Sequence, residues 1–468
     1  MWRSLSGRHR ACLSTSLTDA KLTGKTRGVQ KRRRGERAVT ARQQCGPCKA
    51  TIKEVSILKV DAKQQPVESE FDRRIAEWCL SFAGNPRISL KLWDGTEYYS
   101  GEQSPIAQME IKDRAVLFSM LRSPPMGFGE GYIKEQIEVH GDFYEFVDEA
   151  SRAYSQRTTR GYHLQKFQSR LAAFRSNTLS RSRANVHQHY DLGNDFYKLW
   201  LDERMVYTCA YYERPDATLD EAQLAKLDHV CRKLRLKPGQ RVIEAGCGWG
   251  ALAMHMAERY GVIVTAYNNS HEQVAYARAE ADARGLSNRV TFVEDDYRTI
   301  TGQCDAFVSV GMLEHVGLRN FRTLGSIIER CLKPQGLGLI HSIGRSNPRP
   351  PDPWIARHIF PGGHIPSLGD MAAIFEPFKF SILDVENLRL HYAKTCRTWL
   401  HNFEAVADKV RRMHSEEFLR TWRLYLAGSA AGFRSGTLQL YQVVFAPRGN
   451  NDVPMTRHYQ YVTGPEAE

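Results

Sequence analysis

No run of about 18 uncharged apolar residues occurs in the 468-residue chain, so the sequence offers no bilayer-spanning helix. A peripheral membrane contact is left open. Cysteine is scarce: 10 in 468 residues cannot frame a disulfide-held fold. Cys45-Gly-Pro-Cys48 has the spacing of a redox pair or half a zinc site. It lacks a strand–helix setting and a second pair, so no metal is expected and the thiols read as isolated and reduced. The N-terminal segment has no uninterrupted apolar stretch of the kind that marks a secretory signal. No internal repeat is visible. A single sign of charge is also missing once the first 50 residues are set aside. The net charge is +13, but residues 1–50 hold 13 Lys and Arg against Asp19 and Glu36. The remaining 418 residues hold 52 basic and 50 acidic side chains, so the body is close to neutral. A basic tail on a neutral body is not a nucleic-acid surface, and no nucleic-acid partner is expected.

What is present is ordinary globular composition, with 42% hydrophobic and 25% charged residues. At about 150 residues per domain the length suggests roughly three units. Residues 1–50 are Arg-, Ser- and Thr-rich and poor in acids, like a transit peptide or an upstream stretch from a misassigned start. They read as a disordered basic tail. Residues 51–150 have mixed patterning. "RISLKLWDG" alternates and then turns at Asp94-Gly95, a strand with a hairpin signal. "GFGEGYIKEQIEVHGD" is glycine-punctuated before a short strand, and "DFYEFVDEASRAYSQ" reads as a helix. A small α+β, lipid-binding-like domain is the expectation. Residues 151–184 form a linker. From Arg152 to Arg183 it has eight basic residues and no acid, interleaved with Tyr162, Leu164, Phe167, Leu171 and Phe174. That pattern suits an amphipathic strap on an anionic membrane, and it equally suits a solvated helix.

Residues 185–450 have a different rhythm, and 451–468 form a C-terminal tail. "RVIEAGCGWG", "VIVTAYNNS", "RVTFVEDDY", "CDAFVSVGM" and "GLGLIHSIG" are short apolar runs separated by helical segments. Strands alternating with helices predict an α/β fold with a parallel sheet, and "TLQLYQVVFAP" adds a late antiparallel strand. In Val242-Ile-Glu-Ala-Gly-Cys-Gly-Trp-Gly250 a buried strand runs into glycines and then into the helix "ALAMHMAERY". Glu244, Gly246, Gly248 and Gly250 have the spacing used for S-adenosylmethionine rather than for a dinucleotide. The second strand ends at Asn268 and Asn269, with Gln273 following, amides that can bond ribose hydroxyls. The third ends at Asp295-Asp296-Tyr297, where Asp296 can accept from an adenine amine and Tyr297 can lie against the base. This order of signals describes a class I, Rossmann-like methyltransferase domain.

The blocks "HYDLGNDFYKLWLD", "MVYTCAYY", "EAGCGWG", "SVGMLEHVG", "HSIG", "IFPGGHIPSL", "HYAKTCRTW" and "AGFRSGTLQLYQ" appear in one order. In them the sequence resembles the cyclopropane-fatty-acyl-phospholipid synthase family, which includes the mycolic-acid methyltransferases. The resemblance covers residues 185–447 strongly and 90–150 weakly. It implies methyl transfer to a cis double bond of a membrane lipid's acyl chain, then proton loss and ring closure. It further implies a bound bicarbonate as base, in a cage of Cys209, Glu314, His341, Ile343 and Tyr392. Glu314 would accept the bicarbonate hydroxyl; His341 and Tyr392 would donate to its oxygens. Cys209 and Ile343 would supply backbone amides or packing, and Tyr207 and Thr208 would touch the cofactor. "AYNNSHEQ" departs from the family's usual second-strand pattern while keeping Gln273, and the Glu-His pair of "MLEHVG" favours ring formation over branching.

Two alternatives carry weight beside the ring-forming enzyme: the same transfer leaving a methyl or methylene branch, and a non-catalytic lipid-binding protein. The intact Glu244, glycines and cage residues argue against the latter. The expected partners are an unsaturated acyl chain and a phospholipid surface, with the chain cytoplasmic at the inner membrane. A homodimer is compatible with the sequence.

Overall fold

The computed structural model describes residues 69–101, 103–156 and 192–461. The basic tail, Cys45-Gly-Pro-Cys48 and most of the 151–184 linker lie outside the described residues. The described residues belong to one compact unit.

The first layer is a four-stranded sheet of β1 (Ile88–Lys91), β2 (Glu97–Tyr98), β3 (Ala107–Ile111) and β4 (Ile137–His140), in the order β2-β1-β3-β4. The hairpin expected at Asp94-Gly95 joins β1 to β2. Asp94 accepts the Thr96 N–H at 2.9 Å, and Gly95 takes the left-handed φ of +87° that the turn needs. Helices Glu70–Phe82, Arg114–Arg122, Pro124–Ile133 and Phe143–Ser155 complete this layer. The glycine-punctuated stretch proves helical, and its glycines permit close packing. A Cβ on Gly127 would sit 2.4 Å from the Met120 nitrogen, and one on Gly129 2.3 Å from the Trp354 ring.

The second layer is a seven-stranded sheet: β5 (Arg241–Ala245), β6 (Ile263–Asn268), β7 (Val290–Glu294), β8 (Cys304–Val310), β9 (Leu332–Gly344), β10 (Phe380–Asn387) and β11 (Gln439–Pro447). The order is β10-β11-β9-β8-β5-β6-β7, parallel from β9 through β7, with β11 antiparallel to β9 and β10. β5 lies where the order reverses, between β8 and β6, so a crevice opens at its carboxyl end. β3 and β10 are strands that the sequence patterning misses. The residues of β10 are partly buried or exposed instead of forming a continuous apolar run.

Between β10 and β11 the chain inserts helices Arg389–Ala405, Ala407–Met413 and Glu416–Ser435. The last of these bolts the two layers together. Buried Arg420 donates to the carbonyls of Tyr132 (3.0 Å) and Ile137 (3.5 Å) and pairs with Glu138 at 3.0 Å. Arg434 pairs with Asp148 at 2.9 Å. One apolar core runs across the joint, from Ile75, Leu90 and Phe146 to Trp354, Trp422 and Phe433.

Candidate active site

A single cavity of ≈ 680 Å³ runs from the β5 crevice into the N-terminal layer. Its cofactor end is built by strand termini. Glu244, Gly246 and Gly248 line it, together with Asn268, Asn269, Gln273, Asp295 and Tyr297. Gly246 and Gly248 have φ of +85° and +54°, which a side chain would strain. A Cβ on Gly248 would meet nothing within 4 Å, so its backbone faces open space where a ligand can approach. Gly250 serves packing instead: a Cβ there would lie 2.6 Å from the Phe292 ring.

Several polar atoms at this end are buried without a partner among the described residues: Glu244 Oε2, Asn269 Oδ1 and the Tyr297 hydroxyl. Each such atom costs about 1–3 kcal/mol unless a ligand satisfies it. An adenosyl-methionine molecule fits that set, with amine and hydroxyl donors for the carboxylate and amide and an acceptor for the hydroxyl. Asn268 donates to the Gly248 carbonyl at 3.2 Å and to Gln273 Oε1 at 2.8 Å, which fixes the loop against the second strand. Burial raises the Glu244 carboxyl to about 8, opposed by the nearby Lys226 ammonium. Asp296 does not line the cavity. Arg298 holds it at 2.7 Å and Asn269 donates to it at 3.3 Å, so it braces the loop while Asp295 stands at the wall.

At the middle of the cavity, Glu314 follows β8. Its Oε1 accepts the Ile343 N–H at 2.6 Å, and its Oε2 is buried and unpartnered. Loss of water raises its carboxyl to about 7, countered by backbone N–H donors at Glu314 itself and Ile343. Ile343 and Tyr392 share this wall, Tyr392 being stacked on Phe433 at 4.4 Å. Tyr207 and Thr208 line it as well; the Tyr207 and Tyr425 hydroxyls are 2.8 Å apart. Cys209 and His341 lie behind the lining. The Cys209 thiol donates to the Ala210 carbonyl at 3.2 Å, and burial raises its pKa, so it is no nucleophile. His341 is 1% exposed, with Nδ1 bonded and Nε2 unpartnered.

The far end is apolar. Leu80, Ile88, Leu90, Met109, Met120, Phe128 and Phe146 come from the N-terminal layer, and Leu424, Gly428 and Phe433 from the inserted helix. None of the lining residues between 79 and 154 is charged. Among the described residues no cluster of His, Cys, Asp or Glu is arranged to hold a metal, and no helix is long and apolar enough to cross a membrane.

The family model for mycolic acid cyclopropane synthetase matches residues 177–443. The chain belongs to the mycolic acid cyclopropane synthetase family. A second model, a domain of unknown function, matches residues 78–160. Relatives include a probable fatty acid methyltransferase of Pseudomonas putida, 35% identical over 80% of this chain and 96% of its own length. The cyclopropane-fatty-acyl-phospholipid synthase of Escherichia coli K12 is 37% identical over 75% and 91%. A solved mycolic acid cyclopropane synthase, CmaA1 complexed with SAH and CTAB, superposes with a TM-score of 0.54 at 32% identity. It covers 56% of this chain and 97% of that one. Membership of the mycolic acid cyclopropane synthetase family and the α/β architecture make the chain an S-adenosylmethionine-dependent methyltransferase.

Three features of this family member escape a reading of motifs. Lys226 is fully buried on helix Leu219–Lys233, lines the cavity and donates to Thr208 Oγ1 at 3.0 Å. Asp202 (itself held by the Val206 and Arg204 N–H groups) and Glu244 offset its charge, while burial lowers it to about 8. The visible signal was a pair of lysines at the heptad spacing Leu219, Lys226, Lys233 on the helix's buried face, which also carries Gln223 and His229. His364 of "IFPGGHIPSL" also lines the cavity with Nε2 unpartnered, and its N–H donates to the Glu314 carbonyl at 2.8 Å. The third is the apolar wall from helix Glu416–Ser435.

Proposed function

We propose that this enzyme transfers the methyl of S-adenosylmethionine to the cis double bond of an unsaturated phospholipid acyl chain and closes a cyclopropane ring. The observation that carries this reading is the continuous cavity. It joins the glycines after β5, through Glu314, to an apolar compartment whose lining from the N-terminal layer carries no charge, while Arg345 and Asp352 stand elsewhere on the cavity wall. A cofactor site that served a small polar acceptor would have no use for that compartment.

When bound, S-adenosylmethionine supplies an electrophilic methyl, and bicarbonate supplies a base. With both held, the alkene would gain one CH₂ as a ring, the cofactor would leave without its methyl, and the base would carry away one proton. The chain's own residues make this feasible. The apolar wall excludes water that would trap a carbocation. Glu314, fixed by the Ile343 N–H, presents its second oxygen to the bicarbonate hydroxyl. Tyr392 would donate to the ion's oxygens from the wall, and His341 from behind it, where Nε2 is buried and has no partner among the described residues. Asn268, Asn269, Gln273 and Tyr297 hold the adenosyl part, and Glu244 faces the methionine amine. Asp296 acts by bracing its loop.

In this reading residues 51–150 are the lipid-binding part, 151–184 a basic strap on the anionic inner membrane, and 185–450 the catalytic part. The relatives support it: one is a cyclopropane-fatty-acyl-phospholipid synthase, another a probable fatty acid methyltransferase. The test is mass spectrometry of lipids from a host expressing the chain. A gain of one CH₂ on monounsaturated chains, about 14 daltons, with no exocyclic alkene signal, is the expected result. Unchanged lipids would overturn the reading, and a branched product would leave the transfer and remove the ring.

A further inference from the structure

Behind the cavity wall a row of polar side chains crosses three strands. His341 on β9 pairs in register with Gln442 on β11, and Gln442 with Glu386 on β10. Lys233, from the last turn of helix Leu219–Lys233, lies over this row. The bonds run in one sense. Lys233 Nζ donates to Glu386 Oε2 at 2.5 Å and to Gln442 Oε1 at 2.8 Å. Gln442 Nε2 lies 3.0 Å from His341 Nδ1. Lys233 and Gln442 are fully buried, so water cannot rearrange the chain of contacts.

An ammonium has no acceptor, so the oxygen of the Gln442 amide must face Lys233. Its NH₂ must then face His341, and Nδ1 must accept. Burial, with the Lys226 and Lys233 charges next, holds the imidazole neutral, so it carries one proton. We infer that Lys233 and Gln442 are positioning residues that set the tautomer of His341, holding its proton on Nε2. Nε2 is the ring atom with no partner among the described residues. The relay therefore turns His341 into a fixed donor, the form that an oxyanion requires and the opposite of a general base. This rests on the anion site proposed above only for what Nε2 meets, not for which nitrogen carries the proton.

The experiment is long-range ¹H–¹⁵N NMR of the histidine-labelled full chain, unmodified and as Gln442→Glu. In the unmodified protein His341 should show a protonated Nε2 and an unprotonated Nδ1. This measurement needs no variant to fold. In Q442E the carboxylate still accepts from Lys233 but can only accept from the ring, so Nδ1 should gain a proton. A proton on Nδ1 of the unmodified protein, or an unprotonated Nδ1 in Q442E, overturns the inference. Titration with sodium bicarbonate separates the two ideas. If Nε2 donates to the ion, Q442E should raise half-saturation by bicarbonate about tenfold, while S-adenosylmethionine affinity by calorimetry stays within about twofold, a split that general loss of structure would not produce. The predicted tautomers with a rate indifferent to bicarbonate would uphold the relay and overturn the anion site.

Discussion

The two ends of the cavity are made by opposite means. At the cofactor end, short segments after β5, β6 and β7 each contribute one or two polar groups, and the neighbours of each are fixed by strand order. At the acyl end, apolar side chains come from helices Glu70–Phe82 and Arg114–Arg122 and, almost 300 residues later, from helix Glu416–Ser435. The first end leaves polar atoms of Glu244, Asn269 and Tyr297 without a partner among the described residues; the second is mostly apolar, and its lining from residues 79 to 154 carries no charge. Glu314 stands where they meet, and its raised pKa records that position: it has lost water on the apolar side without gaining a cation on the polar one. A carboxylate in that place can orient a bound ion only while it stays ionised.

The comparison predicts that the ends fail independently, and the largest effect should come from the junction. Glu314→Gln keeps the shape and replaces one acceptor by a donor. It should lower kcat about a hundredfold, about 2.7 kcal/mol, and leave S-adenosylmethionine affinity by calorimetry unchanged. Joint loss of both would place Glu314 in the cofactor end. The pH dependence is next. With Glu314 titrating at about 7 and acting as its anion, the rate at fixed bicarbonate should rise about tenfold from pH 6 to 8. The sign for stability is opposite. The folded carboxyl binds its proton more tightly than the unfolded one, so its contribution is present at low pH and lost as pH rises through about 7. Thermal melts of the E314Q protein should lack that loss.

The acyl end is sharpened by Gly428. It lines the cavity on a helix, and a Cβ there meets nothing within 4 Å. Gly428→Phe should fold at least as well, since glycine is poor in helices. It should reduce turnover of long-chain substrate several-fold and leave cofactor binding intact; an unchanged chain-length profile would show that the chain lies elsewhere. Vesicle binding addresses the basic strap. Cosedimentation with anionic vesicles should weaken several-fold when salt rises from about 50 to 300 mM, and again when the arginines of 152–183 become glutamines. Equal binding to neutral vesicles would remove the strap's role. The smallest effect is expected of the tail: a chain beginning at residue 51 should keep its activity within about twofold, and loss of folding would refute that.

Much of the cofactor end was legible in sequence because local rules place it. A strand running into Gly246-x-Gly248-x-Gly250 has few conformations open to it, and the next two strand ends follow from parallel topology. Asp295 and Asp296 show the limit. Two adjacent acids cannot be told apart by pattern, and only the Arg298 contact shows which of them is turned inward. β10 was invisible because an edge strand need not be apolar, and without β10 the row from Glu386 to His341 has no geometry.

The sequence by itself determined the fold class and the glycine loop after β5, because strand periodicity and glycine conformation act over a few residues; Glu314 was marked by the resemblance alone. Tertiary structure alone decided that Lys226 and Lys233 are buried, that Cys209 and His341 stand behind the wall, and that the N-terminal layer supplies the apolar compartment. Those facts depend on which surfaces meet. Burial sets the energy of a charge or an acyl chain only after segments far apart in sequence have closed around it.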